Sequence, residues 1–336
     1  MVIEKRKDDH IKICLEKEVE SGDTGFKNIS FIHNALPEIN FDEIDVSTKF
    51  LGEDFKAPFL ITAITGGGPN SEKINKNLAK AAEELGIGMG LGSQRAMIEN
   101  PDLKKTFWVR DVAPNIFLLG NLGAAQILQY EINKIKKAVE DIKADGLAIH
   151  LNPAQEVIQP EGDKNWSGVL NKIKEVCFDC DFPIIVKEVG CGISEEVAKK
   201  LENAGVAAID IAGKGGTSWI KVEGYRGSEL EKTLAKTFED WGIQTVYSLV
   251  QCKEAVKIPI IASGGIRNGL EAAKALALGA SLVGMALPLL KPATQSSEAV
   301  KKYLEKIILE LKVAMFLVGA KDLNELKKVK IIMKKE

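Results

Sequence analysis

The stretch Ile258-Pro-Ile-Ile-Ala-Ser-Gly-Gly-Ile-Arg267, followed after one helical interval by Ala280-Ser-Leu-Val-Gly-Met-Ala286, decides the reading of this 336-residue chain. It reads as a buried strand ending in two glycines, then a helix, then a second buried strand. Gly264 and Gly265 have no Cβ to hold an anion away from the backbone N–H groups, so the turn suits a phosphate. Taken alone, an ordinary strand–turn–helix joint would look the same. Six more apolar runs precede it, at 58–64, 86–92, 115–121, 146–152, 183–189 and 206–213, and with 258–264 and 280–286 they make eight. Eight continuously apolar runs are what parallel strands covered on both faces need, and the expected fold is an α/β (β/α)8 TIM barrel. Helical patterns fill the intervals: Ser71 to Leu85, Ile132 to Lys143, Ser167 to Val176, Ser194 to Ala204, Gly269 to Leu278 and Ser296 to Leu317. Ser71 and Ser194 stand where N-caps belong. The chain reads as one domain over 1–336, with an N-terminal arm over 1–55 and a long loop, 213–250, after the sixth strand.

With 45% hydrophobic and 27% charged residues, 6% aromatics and a net charge of −2, the composition is that of a globular protein without the positive excess that nucleic acids demand. No apolar run approaches the roughly 20 residues that cross a bilayer, and the charged N-terminus around Lys5 to Asp9 lacks a signal-peptide core, so the expected location is cytoplasmic. The five cysteines, at 14, 177, 180, 191 and 252, form no disulfide framework. Cys177-Phe-Asp-Cys180 has zinc-ligand spacing but lacks the second pair that would complete four ligands.

Residues just past each strand crowd together at one end of such a barrel, where its sites lie. Here they are Thr65-Gly-Gly-Gly68, Ser93-Gln-Arg95, Asn121, His150-Leu-Asn152 with Gln155-Glu156, Lys187-Glu188, Gly213-Lys-Gly-Gly-Thr217, Gly264-Gly-Ile-Arg267 and Ala286. A barrel built only for stability has little reason for Lys187 inside PIIVKEV, unless the side chain snorkels from the strand end. Trp219, Tyr225, Arg226 and Trp241 in the long loop suit a lid or wall, and equally a satellite core or a subunit contact. A second basic set, Arg6, Lys7 and His10, would otherwise pass for a solvated charge run.

Eight motifs in one order, from residue 6 to about residue 290, resemble the type 2 isopentenyl-diphosphate isomerases. They are Arg6-Lys-x-x-His10, Thr62-Ala-x-Thr-Gly-Gly67, Gly92-Ser-Gln-Arg95, Gly120-Asn-Leu-Gly123, His150-Leu-Asn-Pro-x-Gln-Glu156, Lys187-Glu-Val-Gly190, Gly215-Gly-Thr-Ser-Trp219 and Ser263-Gly-Gly-Ile-Arg267. Ile64 stands where many members carry methionine. The resemblance implies an isomerase of isoprenoid biosynthesis that interconverts isopentenyl and dimethylallyl diphosphates. It needs reduced FMN and Mg2+, takes NADPH or NADH as reductant, and assembles as a homo-oligomer, a tetramer or octamer. It also implies residue roles. Arg6, Lys7, His10, Ser93, Gln94, Arg95 and Gln155 would bind the substrate, and Glu156 would hold the metal. Ala63, Ile64, Thr65, Ser93, Asn121, Lys187, Thr217, Gly265, Ile266, Arg267, Ala286 and Leu287 would bind FMN. Gln155, His150 and Lys187 would serve the chemistry, a 1,3-proton shift in which the reduced flavin is the acid–base catalyst without net redox change. His150 reads equally well as a satisfied strand histidine.

An FMN-dependent 2-hydroxy-acid dehydrogenase or oxidase is the main rival, but it needs a histidine base beside an arginine near the seventh strand, and that region has no histidine. A nucleotide dehydrogenase of the IMP type needs a nucleophilic cysteine in the loop after the sixth strand, and Gly213 to Trp219 has none. A regulatory flavin-binding protein that had lost catalysis would have no use for the N-terminal basic set with Gln155 and Glu156.

Overall fold

The computed structural model describes residues 2–334, with side chains from Lys5 onward. Eight strands close into a barrel: β1 (Phe59–Ile61), β2 (Gly88–Gly90), β3 (Leu118–Gly123), β4 (Gly146–His150), β5 (Ile184–Lys187), β6 (Ala208–Asp210), β7 (Ile260–Ala262) and β8 (Leu282–Met285). Each runs parallel to the next, and β8 closes on β1 through Val283↔Phe59, Gly284↔Leu60 and Met285↔Ile61. Seven of the expected runs contain their strands, and the third strand, Leu118–Gly123, starts inside the 115–121 run and reaches two residues past it. The strands are shorter than the runs because the ladder spans only the barrel's waist, while apolar residues beyond it pack on the helices.

The expected helices are present, and the first, Ser71–Leu85, has the expected ends. Ser194 caps its helix, its Oγ accepting from the Val197 N–H at 3.3 Å. Ser71 does not cap: Asn70 holds that position. The Ser71 hydroxyl instead accepts from the Gly68 N–H at 3.0 Å and lies 2.9 Å from Thr65 Oγ1, which braces the loop after β1.

The barrel has a floor that the sequence patterns did not reveal. Thr48–Phe50 and Glu53–Phe55 form a hairpin across the N-terminal ends of the strands. Its Phe50 and Phe55 join Phe117 at ring separations of 6.0 to 6.1 Å, against Leu60, Leu119, Ile185, Ile261 and Leu282 from the barrel interior. The interior is filled from below and opens only at the C-terminal ends.

That opening is covered by helices. α1 (Val2–Glu16) packs over it against α3 (Trp219–Arg226) and α4 (Leu287–Gln295), and α2 (Pro153–Ile158) follows β4 at its edge. The stretch 213–250, expected as a long loop, is mostly helical. Ser218 caps α3, and a capping box between Ser228 and Glu231 starts the helix Glu229–Phe238. The two helices meet at Gly224, where a Cβ would lie 2.4 Å from that of Ala235. Glycine there lets the pair pack closely enough to form a firm wall. A strap after α1 ties the arm to this wall: the Ser218 N–H donates to Val19 O at 2.8 Å and the Ser21 N–H to Gly216 O at 3.1 Å.

Replacing Phe50 by alanine empties the floor, and large-to-small changes at such sites cost about 3–5 kcal/mol. Urea unfolding of Phe50→Ala should show that loss, with ligand binding at the opposite end of the barrel retained.

Candidate active site at the barrel mouth

One cavity opens at the C-terminal ends of the strands, between the barrel, α1 and α3. Across its floor the ladder places His150 beside Lys187 and Lys187 beside Asp210. Burial pushes the His150 ring down to about 3, and the Lys187 and Lys7 charges push the same way, so the ring is neutral; its Nδ1 lies 2.8 Å from Asn121 Oδ1. Burial raises the Asp210 carboxyl against the pull of Lys187 and of Ser263, whose Oγ donates to Oδ1 at 2.5 Å. Lys187 therefore stands between a neutral imidazole and a buried acid.

At one side, the turn after β7 forms a cradle. Gly264 and Gly265 have φ of 104° and 74°, and a Cβ on Gly265 would lie 2.2 Å from Gly215 O. Only glycine fits between the two loops, which leaves backbone lining the cavity. α4 begins directly after β8 with Ala286 and Leu287 at the cavity wall, so the positive end of its dipole favours an anion here. Thr217, Ala63, Ile64, Thr65 and Asn121 also line the space. Ile266 does not: it is 1% exposed and belongs to the core. The Arg267 guanidinium donates to Ile266 O at 2.9 Å and pairs with Glu20 of the strap.

At the other side, α1 carries Arg6, Lys7 and His10 into the cavity opposite Ser93 and Arg95. Burial, reinforced by Arg6, lowers Lys7 to about 8, against the pull of Glu223. Arg95 is held by Glu99 at 2.7 Å and Asp163 at 3.1 Å. Gln94 departs from expectation. It is fully buried, donates to Ala138 O at 2.6 Å and accepts from the Asn121 N–H at 2.9 Å, so its side chain braces the barrel wall and does not face the cavity.

The group that gathers this side is Glu223, on α3. Its carboxylate accepts from Gln155 Nε2 at 2.8 Å, pairs with Arg226, and lies 2.9 Å from His10 Nε2, outside hydrogen-bond alignment. With its amide oriented to satisfy both ends, Gln159 links Glu223 Oε1 at 3.0 Å to Arg6 at 3.2 Å. Burial alone would raise Glu223, but His10, Arg226 and Gln155 hold it at about 2. Burial also keeps His10 below its usual range. Glu156, 5% exposed, accepts from Asn152 Nδ2 at 3.0 Å and from the Asp163 N–H at 2.8 Å. Two polar atoms of lining residues, His10 Nε2 and Asn152 Oδ1, are buried without a hydrogen-bond partner. Among the described residues no cluster of three metal-ligating side chains occurs.

Sequence reasoning passed over Glu223, Glu161 and Asp163. For Glu223 a signal existed: Ile220, Glu223 and Gly224 share one face of α3 at helical spacing, which puts a carboxylate on the inward side.

The fold and site define the class. Residues 13–138 and 133–333 match the sequence profile of the FMN-dependent dehydrogenase family. A lactate oxidase from Pediococcus acidilactici superposes with a TM-score of 0.68 at 18% identity, covering 97% of this chain and 87% of that one. A mandelate oxidase superposes with a TM-score of 0.65 at 16% identity, covering 100% and 98%. These distant structures establish the shared barrel. Much nearer in sequence is the isopentenyl-diphosphate delta-isomerase of Pyrococcus furiosus, 53% identical over 338 residues, 97% of this chain and 86% of the relative. Those of Thermococcus kodakarensis and Methanosarcina mazei are 50% and 49% identical, over 98% and 96% of this chain and 91% and 90% of theirs. The chain belongs to the isopentenyl-diphosphate delta-isomerase family.

Lys7 gives the anion side a pH signature. A lysine lowered to about 8 keeps its charge below that pH and loses it above. Binding of inorganic diphosphate, followed by calorimetry, should therefore weaken as pH rises through 8, and Lys7→Met should remove that limb of the profile.

Proposed function

We propose that this protein interconverts isopentenyl and dimethylallyl diphosphates by a 1,3-proton shift, with reduced FMN and Mg2+ bound at the barrel mouth. What supports the reading is that two sides suited to anions, the glycine cradle and the basic face of α1, open into one cavity with Gln155 on its wall. A single anion site would suit a cofactor alone. Two suit a phosphate-bearing cofactor with a second, diphosphate-bearing molecule.

The residues fit FMN. The cradle and the start of α4 suit its phosphate, Thr217 stands nearby, and Ala63, Ile64, Thr65, Ser93 and Asn121 would meet the ring. When bound in its reduced form, FMN supplies an electron-rich ring beside the reacting carbons and a nitrogen that relays the proton. Lys187 would favour the anionic ring by its charge. The residues also fit Mg2+, which takes one or two protein oxygens and completes its shell with phosphate oxygens and water. Glu156 would be its carboxylate ligand, beside the unpartnered Asn152 Oδ1.

Arg6, Lys7, His10, Ser93 and Arg95 would bind the diphosphate, whose charge requires several donors at once. Gln155, oriented by Glu223 and Asn152, would hold the hydrocarbon end where a proton is added to the terminal carbon and another removed from the allylic one. His150, neutral and bonded to Asn121, serves to position its neighbours. The reading includes NADPH or NADH as electron source, a cytoplasmic location and a homo-oligomer. Exposed Leu230, Leu234, Phe238 and Trp241 supply an apolar row for subunit contact. No helix among the described residues is long and apolar enough to cross a membrane.

Gln155→Ala tests the substrate placement. Misplacing a reacting group by about 1 Å costs roughly 10²-fold, so turnover should fall by at least that much while FMN titration, followed by flavin fluorescence, is unchanged. Unaltered turnover would contradict the placement.

A further inference from the structure

The end of β5 carries a local arrangement that the proposed reaction does not account for. Glu188 is 5% exposed, and one oxygen of its carboxylate, Oε2, accepts from three successive N–H groups: Val189 at 2.6 Å, Gly190 at 2.7 Å, and Cys191. The carboxylate thus wraps the main chain that follows it. Its own carbonyl oxygen does something different: it accepts from Lys187 Nζ.

These two facts are linked by the peptide plane. In a trans peptide the C=O and the N–H point in opposite directions, and every described peptide here is trans. Turning the Val189 N–H onto the Glu188 carboxylate therefore turns the Glu188 C=O the other way, toward Lys187. The turn cannot relax easily. The Glu188 N–H is tied to Asp210 O at 3.1 Å, and a Cβ on Gly190, which has a φ of 151°, would lie 2.4 Å from Thr217 O. Asp210 offers Lys187 a counter-charge from β6, but its Oδ1 is engaged by Ser263 and the Ala212 N–H, and the neutral His150 flanks Lys187 on β4. The direction of the ammonium is left to the carbonyl.

We propose that Glu188 is a positioning residue for Lys187, its carboxylate fixing the 188–189 peptide so that the Glu188 carbonyl aims the Lys187 ammonium across the cavity floor. In its effect on the flavin the proposal rests on the function proposed above. A directed ammonium favours the anionic reduced ring, and an undirected one favours it less.

The test uses full-length protein loaded with FMN and reduced anaerobically. It reads from the absorption spectrum the pH at which the bound reduced flavin gains its N1 proton. An opposite charge within about 4–6 Å moves a pKa by about one unit or more, so moving the Lys187 ammonium out of place in Glu188→Ala and Glu188→Asp should raise that pH by about one unit. Glu188→Gln, whose amide oxygen still accepts the three N–H groups, should stay near the wild type. In a Lys187→Met background, Glu188→Ala should add nothing, because it acts through the lysine. An unshifted Glu188→Ala, or a shift of equal size without Lys187, overturns the proposal. Cofactor-free crystals provide a second readout: in Glu188→Ala, Lys187 Nζ should leave the residue-188 carbonyl, and retention of that contact overturns the proposal whatever the flavin does. Wild-type protein that takes up no FMN would instead count against the functional reading, and the crystal comparison would still decide the role of Glu188.

Discussion

The barrel mouth depends on one buried ion, the Glu223 carboxylate. A charge removed from water is costly unless it is paired and hydrogen-bonded, and Glu223 draws on three separate pieces of chain: Gln155 on α2 donates to it, Arg226 on its own helix pairs with it, and the His10 ring on α1 packs 2.9 Å away. None of these pieces belongs to the barrel ladder. Satisfying the one carboxylate fixes the arm, the rim helix and the wall relative to each other, and so walls a cavity where the barrel alone would offer an open bowl. The group's ionisation is secure at neutral pH. Its carboxyl is held at about 2 against an ordinary 4.5, so its contribution is complete above the latter value and fades only as pH falls toward the former.

Each arginine at the mouth has a carboxylate behind it. Arg6 and Arg226 share Glu161, and Arg95 has Glu99 and Asp163. Such backing holds long side chains in place without neutralising the face they present, which lowers the ordering cost of receiving a multiply charged ligand. The cradle after β7 works differently. It has no side chain to order, and its directing power comes from backbone packed too tightly for any Cβ.

Much of this was legible in the sequence, for physical reasons that also mark its limit. Parallel strands are covered on both faces, so their apolar runs are continuous and all eight stood out. The helix Ser71–Leu85 was bounded by its own periodicity. The floor hairpin was not legible, because Phe50 and Phe55 lie in a short stretch of mixed character and become core only once the barrel exists to receive them. Gln94 and Ile266 show the same limit at single residues. Both stand inside site motifs, but the backbone turns their side chains into the wall and the core, and a motif records neighbours in sequence rather than direction. Glu223 was missed because its partners lie far off along the chain, and no local pattern announces a pairing that the fold alone brings about.

On the proposed reading the cradle would bind the catalyst and the arm the substrate, and the protein would bring them together without net oxidation. The most direct measurement is an anaerobic isomerase assay on purified protein with isopentenyl diphosphate, Mg2+ and FMN, comparing reduced with oxidised flavin. Dimethylallyl diphosphate formed only with reduced flavin, with no stoichiometric flavin oxidation, is the predicted result. Equal turnover with oxidised flavin, or oxidation of a 2-hydroxy acid in place of isomerisation, would contradict it.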